Sequence, residues 1–329
     1  MAAEEKSVSS PGRSDLTVSI IMPSYNAEAF LERAVRSVFA QTCGNWRLII
    51  IDDGSTDNTL SLAQSLAASN ERIRVIHQAN AGQANATNTG ITAAQTEWVA
   101  CVDADDELDP HWAELLSKAV NDYPGSVLYG SNLLIISADH PAGIPCFPDN
   151  GPATVNLAEF LAEQRFSNNG AWMRRDLWKQ LGGFRDASYS EDYDLIIRAL
   201  LQGSAYSIPE PLYIYHTEHE GRKSDTALLQ TIAVMESCIR LISHHYAELD
   251  GPTLHAACQQ LIARTNILDR NDSRSATVIA TQHEGQQKQA AALDARRHAS
   301  RLSARLQRSL YHLAAAVVGE RRAARLKRD

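Results

Sequence analysis

From residue 16 onward, short apolar runs alternate with segments in which apolar residues recur every three or four positions. The runs are rich in Ile and Val, have the length of strands and stop at polar or turn-forming residues. The predicted strands are residues 16–22, 46–51, 73–76 and 98–102. The predicted helices between them are residues 28–40, 57–68 and 82–94, the last with Gly90 as an irregularity. Strands and helices that alternate in this way predict βαβ units and an α/β fold with a mostly parallel sheet.

After residue 125 the pattern is weaker and ends in a long helical region. A Pro/Gly-rich stretch predicts a loop over residues 137–153. Beyond it, the predicted elements are helices at 157–165, 174–181 and 191–201 and short strands at 205–208 and 212–216. We therefore predict a disordered arm (1–15), an α/β domain (16–226), a helical region (227–283) and a basic amphipathic helical tail (284–329).

Charge is distributed unevenly along the chain. The formal net charge is −8, but residues 284–329 contain 11 Lys/Arg against 4 Asp/Glu, which leaves an acidic body and a basic tail. Within the tail, Ala and Leu recur at helical spacing beside the arginines, which predicts an amphipathic helix. Two partners stay open for this helix: the protein itself, as body or second subunit, and an anionic membrane surface. Nucleic acid is not expected, because the tail lacks interleaved aromatic residues.

The composition is that of an ordinary globular protein, with 44% hydrophobic and 21% charged residues. No apolar stretch approaches the roughly 18 residues of a membrane-spanning helix. The five cysteines are scattered, which argues against a disulfide framework and a structural zinc site. The polar N-terminus does not resemble a signal peptide. These features predict a cytoplasmic location, with peripheral attachment at the cytoplasmic face of the membrane as the alternative.

Polar clusters follow three of the predicted strands. They are Ser24-Tyr25-Asn26, Asp52-Asp53-Gly54-Ser55 and Asp103-Ala104-Asp105. Because ligands of parallel α/β sheets bind outside the carboxyl ends of the strands, we expect one site there. Asp103 and Asp105 offer the oxygen ligands that suit Mg²⁺ or Mn²⁺. The alternative is a solvated acidic loop that caps the helix starting near Pro110.

Two residues of the other clusters suit a nucleotide. Asp53 can accept a hydrogen bond from a base or a sugar, and Tyr25 can stack on a base; the alternatives are a capped turn and an exposed aromatic residue. The chain lacks both the dinucleotide-binding G-x-G-x-x-G and a phosphate-binding P-loop. Phosphates would then be neutralised by a metal ion and not by a glycine-rich loop.

Two later segments also carry candidate chemistry. Glu191 and Asp192 open a predicted helix, where a carboxylate can act as a general base or simply stabilise the helix start. His216 can bind a metal, and Arg222 and Lys223 can hold a diphosphate; the alternative is a polar surface loop.

Five motifs occur together in one order. They are Pro-Ser-Tyr-Asn (23–26), Ile-Asp-Asp-Gly-Ser-Thr-Asp (51–57), Asp-x-Asp (103–105), Gly-Gly-Phe (182–184) and Glu-Asp-Tyr-Asp (191–194). Over residues 16–223 the chain thereby resembles the inverting family 2 glycosyltransferases. The resemblance implies a GT-A fold, with a Rossmann-like, mixed, mostly parallel sheet flanked by helices and a C-terminal helical extension.

The resemblance also implies roles for individual residues. The nucleotide-sugar-binding residues would be Pro23, Tyr25, Asp53, Asp103, Asp106, Arg222 and Lys223. The ligands of a Mn²⁺ or Mg²⁺ ion would be Asp103, Asp105 and His216. The catalytic residues would be Asp192, as general base, and Glu191 in support. The reaction would move a sugar from a nucleotide diphosphate sugar, such as a UDP-sugar, to a hydroxyl of a polysaccharide, glycolipid or other glycoconjugate, with inversion.

One position departs from the family pattern. Members often show Ala-Arg-Asn-x-Gly after the third strand, whereas this chain has Thr87 in place of the Arg. A positive group near the donor is therefore missing from the motif. Two alternatives to glycosyl transfer stay open: a sugar nucleotidyltransferase, and a catalytically degenerate protein that only binds sugar nucleotides.

Overall fold

The structure is a computed structural model that describes residues 16–147, 151–185 and 191–217, together with parts of the region 234–261. The predicted arm (1–15) and the basic tail (284–329) lie outside the described residues, as do Arg222 and Lys223.

Strands and helices alternate through the first half of the described chain. The strands are β1 (Val18–Ser24), β2 (Trp46–Asp53), β3 (Ile73–Gln78), β4 (Trp98–Cys101), β5 (Glu107–Leu108), β6 (Leu128–Ile136), β7 (Ile144–Pro145), β8 (Ala153–Val155), β9 (Trp172–Arg174) and β10 (Ala205–His216). The helices are α1 (Leu31–Phe39), α2 (Thr59–Ala68), α3 (Gln83–Ala93), α4 (Trp112–Asp122), α5 (Leu157–Ala162), α6 (Arg175–Gln180) and α7 (Glu191–Leu200). The predicted elements from residue 16 to 102 are confirmed to within a few residues at each end.

One mixed sheet organises these elements. Its strand order is β3-β2-β1-β4-β9-β6-β10-β5, with β7 beside β6 and β8 beside β10. The pairs β1–β2, β2–β3, β1–β4 and β6–β10 are parallel, whereas β9 runs antiparallel to both β4 and β6. The carboxyl ends of β1, β2 and β4 therefore meet at one edge, as predicted.

The second half of the sheet differs from the prediction. Strand β6 was missed because its apolar run is interrupted by Gly130, Ser131 and Asn132, all buried. The two predicted short strands at 205–208 and 212–216 form one strand, β10, whose register with β6 shifts on either side of Pro211. A proline lacks the N–H that a regular ladder needs, which explains the irregularity.

Gly90 is part of the packing of α3 and does not interrupt the helix. A Cβ placed on Gly90 would lie 2.4 Å from Ile21 Cγ2 and 2.5 Å from Ile51 Cδ1. Helix α3 thus packs its backbone directly against β1 and β2, which only glycine permits at this position. The predicted irregularity is therefore wrong: it is a point of close approach between helix and sheet.

We expect Gly90→Ala to lower the free energy of unfolding by about 1–3 kcal/mol, because an added methyl group overpacks the interface with Ile21 and Ile51. In an unconstrained helix the same change would stabilise by up to about 1 kcal/mol. Chemical denaturation measures the difference. Gly125→Ala is the matched control, because a Cβ at Gly125 meets nothing within 4 Å. A Gly90→Ala variant as stable as wild type would contradict this packing argument.

The chain divides into two compact units. The first comprises Met1–Asn156, Gln164–Asp186 and Arg198–His219 and contains the sheet; the second comprises Leu157–Glu163, Ala187–Ile197 and Glu220–Asp329. Within the second unit, the rings of Phe160 and Tyr193 lie 5.2 Å apart, and Gln260 Nε2 donates to the Leu161 carbonyl at 2.7 Å. Among the residues that the structure describes, no helix has the length and apolar composition needed to cross a membrane.

Candidate active site

The loops that follow β1 and β2 are held together by side-chain hydrogen bonds. The Asn26 N–H donates to Ser55 Oγ at 3.0 Å, and Asn26 Oδ1 accepts from the Thr56 N–H at 2.8 Å. Two residues further along, Asn58 Nδ2 donates to Glu28 Oε1 at 2.7 Å. The predicted residue Tyr25 lies within this fixed loop and is 52% exposed. Its ring is therefore available for stacking.

Asp53, at the end of β2, fixes the loop that leads into α3. Its Oδ1 accepts hydrogen bonds from Gln78 Nε2 at 2.7 Å and from the Ala81 N–H at 2.9 Å, and its Oδ2 accepts from the Gly82 N–H at 2.9 Å. The carboxylate is almost fully buried. An ionised carboxylate has about four acceptor positions, so partners in the described part of the chain occupy three of them and leave one.

The acidic residues after β4 form a compact group. One ligand atom from each of Asp103, Asp105 and Asp106 lies within 4.8 Å of the other two. The Asp106 N–H donates to the Asp103 carbonyl at 3.2 Å, which closes the turn. This turn at a strand end brings the predicted Asp-x-Asp pair together with Asp106.

Asp106 is fully buried and anchored to β10. Its Oδ2 accepts the Tyr213 hydroxyl proton at 2.9 Å, and its Oδ1 accepts the His216 N–H at 3.0 Å. These contacts fix the orientation of the carboxylate. The contact between Asp106 and a donor, which the resemblance implies, stays a prediction, and the structure adds a role for Asp106 in holding the turn.

Asp103 is held by three residues that are distant in sequence. Its N–H donates to Tyr213 Oη at 3.1 Å, its Oδ1 accepts from Gln83 Nε2 at 2.9 Å, and its Oδ2 accepts from Asn169 Nδ2 at 3.2 Å. Burial, together with the charges of Asp106 and Asp103, raises the pKa of Tyr213 well above its usual range. The hydroxyl therefore stays protonated and can keep donating to Asp106.

Sequence reasoning missed Gln83, Asn169 and Tyr213. Asn169 is placed by its neighbour Gly170, whose φ is +69° and whose N–H donates to the Cys101 carbonyl at 2.8 Å. The one available signal was the Ser-Asn-Asn-Gly stretch before Trp172, a polar run of the kind that binding loops use.

His216 lies beside the acidic turn through two contacts. Its backbone N–H binds Asp106, and its Nε2 is 2.7 Å from Glu107 Oε1. His216 Nδ1 is buried and has no hydrogen-bond partner in the described part of the chain. The ring nevertheless is not in the group whose ligand atoms lie within 4.8 Å of one another. Its predicted role as a metal ligand stays a prediction.

The acidic group suits a divalent cation. Mg²⁺ and Mn²⁺ prefer carboxylate oxygens, and Mg²⁺ is commonly bound by one or two carboxylates together with the phosphates of a substrate. Three carboxylates this close repel one another unless a cation or a proton intervenes. The donor set therefore fits the predicted ion, with Asp103 and Asp105 as the residues that would hold it.

The Gly-Gly-Phe motif is anchored to helix α3. Asn88 donates from Nδ2 to the Phe184 carbonyl at 2.8 Å and accepts the Phe184 N–H at 2.9 Å. Arg198 also holds this turn, since its Nη2 donates to the Gly183 carbonyl at 2.8 Å. The neighbouring Thr87, which replaces the usual Arg, is buried and donates to the Gln83 carbonyl at 2.8 Å. The Thr87 hydroxyl therefore forms its hydrogen bond within α3.

Glu191 and Asp192 lie in the first turn of α7, in the second compact unit. The structure confirms that both open a helix, where the positive end of the helix dipole stabilises negative charge. Asp192 is half-buried, and its Oδ1 accepts the Tyr193 N–H at 2.7 Å.

Comparisons with known proteins agree with this architecture. The profile described as glycosyl transferase family 2 matches residues 19–182. The chain is 45% identical over 89 residues to the uncharacterized glycosyltransferase EpsJ of Bacillus subtilis, a match that covers 27% of this chain and 26% of that protein. It is 35% identical over 246 residues to the chondroitin synthase of Pasteurella multocida, covering 71% of this chain and 25% of the synthase. The chain thus spans well under half the length of these two relatives.

Solved structures show the same fold. The structure of S. aureus TarS 1–349 in complex with UDP-GlcNAc matches with a TM-score of 0.62 and 18% identity, over 85% of this chain and 79% of that one. A mannosyltransferase from Pyrobaculum calidifontis, in complex with GDP-Man and Mn²⁺, matches with a TM-score of 0.57 and 18% identity, over 82% and 80%. These likenesses confirm the GT-A sheet. The profile match, together with the ordered motifs, shows that the chain belongs to glycosyl transferase family 2.

Proposed function

We propose that the protein is an inverting glycosyltransferase that moves a sugar from a nucleotide diphosphate sugar, a UDP-sugar in the first instance, to a hydroxyl of a glycan or glycolipid. The observation that carries the proposal is the group of Asp103, Asp105 and Asp106 at the carboxyl end of β4. Family membership supports this reading, as do solved structures of the same fold bound to UDP-GlcNAc or GDP-Man.

The nucleotide would bind along the ends of β1 and β2. Tyr25 would stack on the base, since its ring is half exposed on a loop that is fixed on both sides. Pro23 would shape the same strand end. Asp53 would use its remaining acceptor position for the base or ribose while it fixes the loop before α3. Arg222 and Lys223 would meet the diphosphate.

Asp103 and Asp105 would hold Mn²⁺ or Mg²⁺, and His216 would complete or support the site. When bound, the ion would screen the diphosphate and stabilise the leaving nucleoside diphosphate. Gln83 and Asn169 keep the Asp103 carboxylate oriented through one hydrogen bond to each oxygen. Tyr213 connects Asp103 to Asp106 and thereby keeps the turn closed.

Asp192 would be the general base that removes the proton of the acceptor hydroxyl, with Glu191 in support. The assignment rests on the motif order and on the position of both carboxylates in the first turn of α7. One carboxylate would be enough for proton transfer, because a nucleoside diphosphate whose charge is screened by a bound ion would not need a proton in order to leave. Attack from the side opposite the leaving group gives inversion.

The acceptor is proposed from one relative, and the location of the enzyme from the charge of its tail. The relative named chondroitin synthase suggests a polysaccharide acceptor. The basic tail would contact a second copy of the chain or an anionic membrane surface. The enzyme would lie in the cytoplasm, and a tail that binds lipid would attach it to the cytoplasmic face of the membrane.

The test incubates the full chain with UDP-, GDP- and TDP-sugars in Mn²⁺ or Mg²⁺ and measures nucleotide release, with EDTA as the control. We expect release of one nucleoside diphosphate that EDTA abolishes. Release of pyrophosphate from sugar phosphate and nucleoside triphosphate would instead identify a nucleotidyltransferase. Metal-dependent binding of a donor without turnover on any glycan acceptor would indicate a degenerate binding protein.

A further inference from the structure

Helix α1 carries three polar residues at intervals of four, Arg33, Ser37 and Gln41, the last just beyond its end. Positions four apart lie on one side of a helix. Ser37 and Gln41 are buried, and Arg33 is half exposed. Buried polar side chains need hydrogen-bond partners. All three find them in a single segment, residues 105–113, which contains the end of the acidic turn.

The two buried members fix the later part of this segment. Ser37 Oγ accepts the Leu108 N–H at 3.0 Å. Gln41 Nε2 donates to the Asp109 carbonyl at 2.8 Å, and Gln41 Oε1 accepts the Ala113 N–H at 3.0 Å. Three backbone groups of the segment are thus held by two side chains. These contacts support the fold whether or not a ligand is bound.

Arg33 extends the same row of contacts to the acidic group. Its Nη2 donates to the Asp105 carbonyl at 2.7 Å, and its Nε lies 3.4 Å from Glu107 Oε1. The same Glu107 oxygen is 2.7 Å from His216 Nε2. The guanidinium therefore connects the backbone of Asp105 to the hydrogen-bonded pair of Glu107 and His216.

We propose that Arg33 is a positioning residue for the metal site, which fixes the backbone of Asp105 so that its carboxylate stays grouped with Asp103 and Asp106. This proposal rests on the metal-dependent function proposed above. The three carboxylates repel one another before an ion binds, which favours opening of the turn. The positively charged guanidinium of Arg33, which donates to the Asp105 carbonyl, opposes that opening. A preorganised site then loses less free energy to ordering when the ion enters.

The test compares Arg33→Met and Arg33→Lys with Arg36→Met. Arg36 is the matched control, because it lies on the same helix, is highly exposed and pairs with Glu32 at 2.7 Å. Electron paramagnetic resonance of free Mn²⁺, titrated into the full chain at saturating UDP, measures the affinity. We expect Arg33→Met to weaken Mn²⁺ binding about tenfold, as for other residues that orient metal ligands. Arg33→Lys, which keeps the charge, should restore part of this loss.

Two further readouts separate positioning from general destabilisation. The thermal midpoint of Arg33→Met without metal should lie at most a few degrees below that of Arg36→Met, because Ser37 and Gln41 still hold the segment when the Arg33 contacts are lost. Activity at saturating Mn²⁺ should approach wild type, while the half-saturating Mn²⁺ concentration rises. Equal Mn²⁺ affinity in Arg33→Met and wild type would overturn the role of Arg33 alone. A wild-type protein that binds no Mn²⁺ would overturn both this inference and the metal-dependent function.

Discussion

Asp105→Asn is expected to lower kcat/KM about 10³-fold. The substitution keeps the size of the side chain but removes one negative charge from the group of three carboxylates. A catalytic metal contributes several kcal/mol to stabilising the developing charge of the leaving group, and each 1.36 kcal/mol corresponds to a factor of ten in rate. The loss should therefore appear together with weaker Mn²⁺ binding, measured by titration, and with a loss of metal-dependent UDP binding.

Asp122→Asn is the matched control for this variant. It removes the same charge from the same compact unit, but Asp122 lies at the end of α4, where it pairs with Lys118 at the surface. Exposed pairs of this kind contribute little to stability, so both stability and activity should stay close to wild type. If Asp105→Asn retained wild-type activity in Mn²⁺, the assignment of the acidic group as the metal site would be wrong.

The first half of the fold could be read from the sequence because its signals are local. The strands β1 to β4 are unbroken apolar runs, and the helices between them have regular periodicity. Strand β6 was missed because Gly130, Ser131 and Asn132 interrupt its apolar run, although all three are buried in the sheet. Their burial depends on partners elsewhere in the chain: Asn132, for example, binds the backbone of Phe147 through both atoms of its amide. No local pattern reports such a contact.

In the candidate site, too, local patterns were readable from the sequence and contacts between distant segments were not. Asp103 and Asp105 could be proposed as metal ligands because they are separated by one residue and follow a strand, so that their proximity is a local property. The residues that orient them, such as Gln83, Asn169 and Tyr213, are 20 to 110 positions away from Asp103. Each is an ordinary polar residue in its own segment. Only the fold shows that they converge on one turn.

The position of the missing arginine also has a structural explanation. Thr87 is buried and forms its hydrogen bond within α3, so this position of the motif carries no cation. The neighbouring Asn88 keeps the other function of the motif, because its amide anchors the Gly-Gly-Phe turn through Phe184. The departure therefore removes one positive charge from the motif and keeps the hydrogen bonds that anchor the Gly-Gly-Phe turn. It gives no structural reason to regard the site as degenerate.

Asp192→Asn should lower kcat about 10²–10⁴-fold, the range that a general base contributes, while Mn²⁺ and UDP bind as in wild type. The physical reason is that an amide cannot accept the proton of the acceptor hydroxyl, although it preserves the size of the side chain. Asp176→Asn is the matched control, since Asp176 is an exposed acid in the first turn of α6 and shares the helix-terminal setting of Asp192. Nucleotide release with acceptor, compared with calorimetric binding of UDP and Mn²⁺, separates loss of the base from loss of the fold. Undiminished turnover in Asp192→Asn would show that another group accepts the proton, whereas parallel losses in both variants would trace the effect to the helix termini.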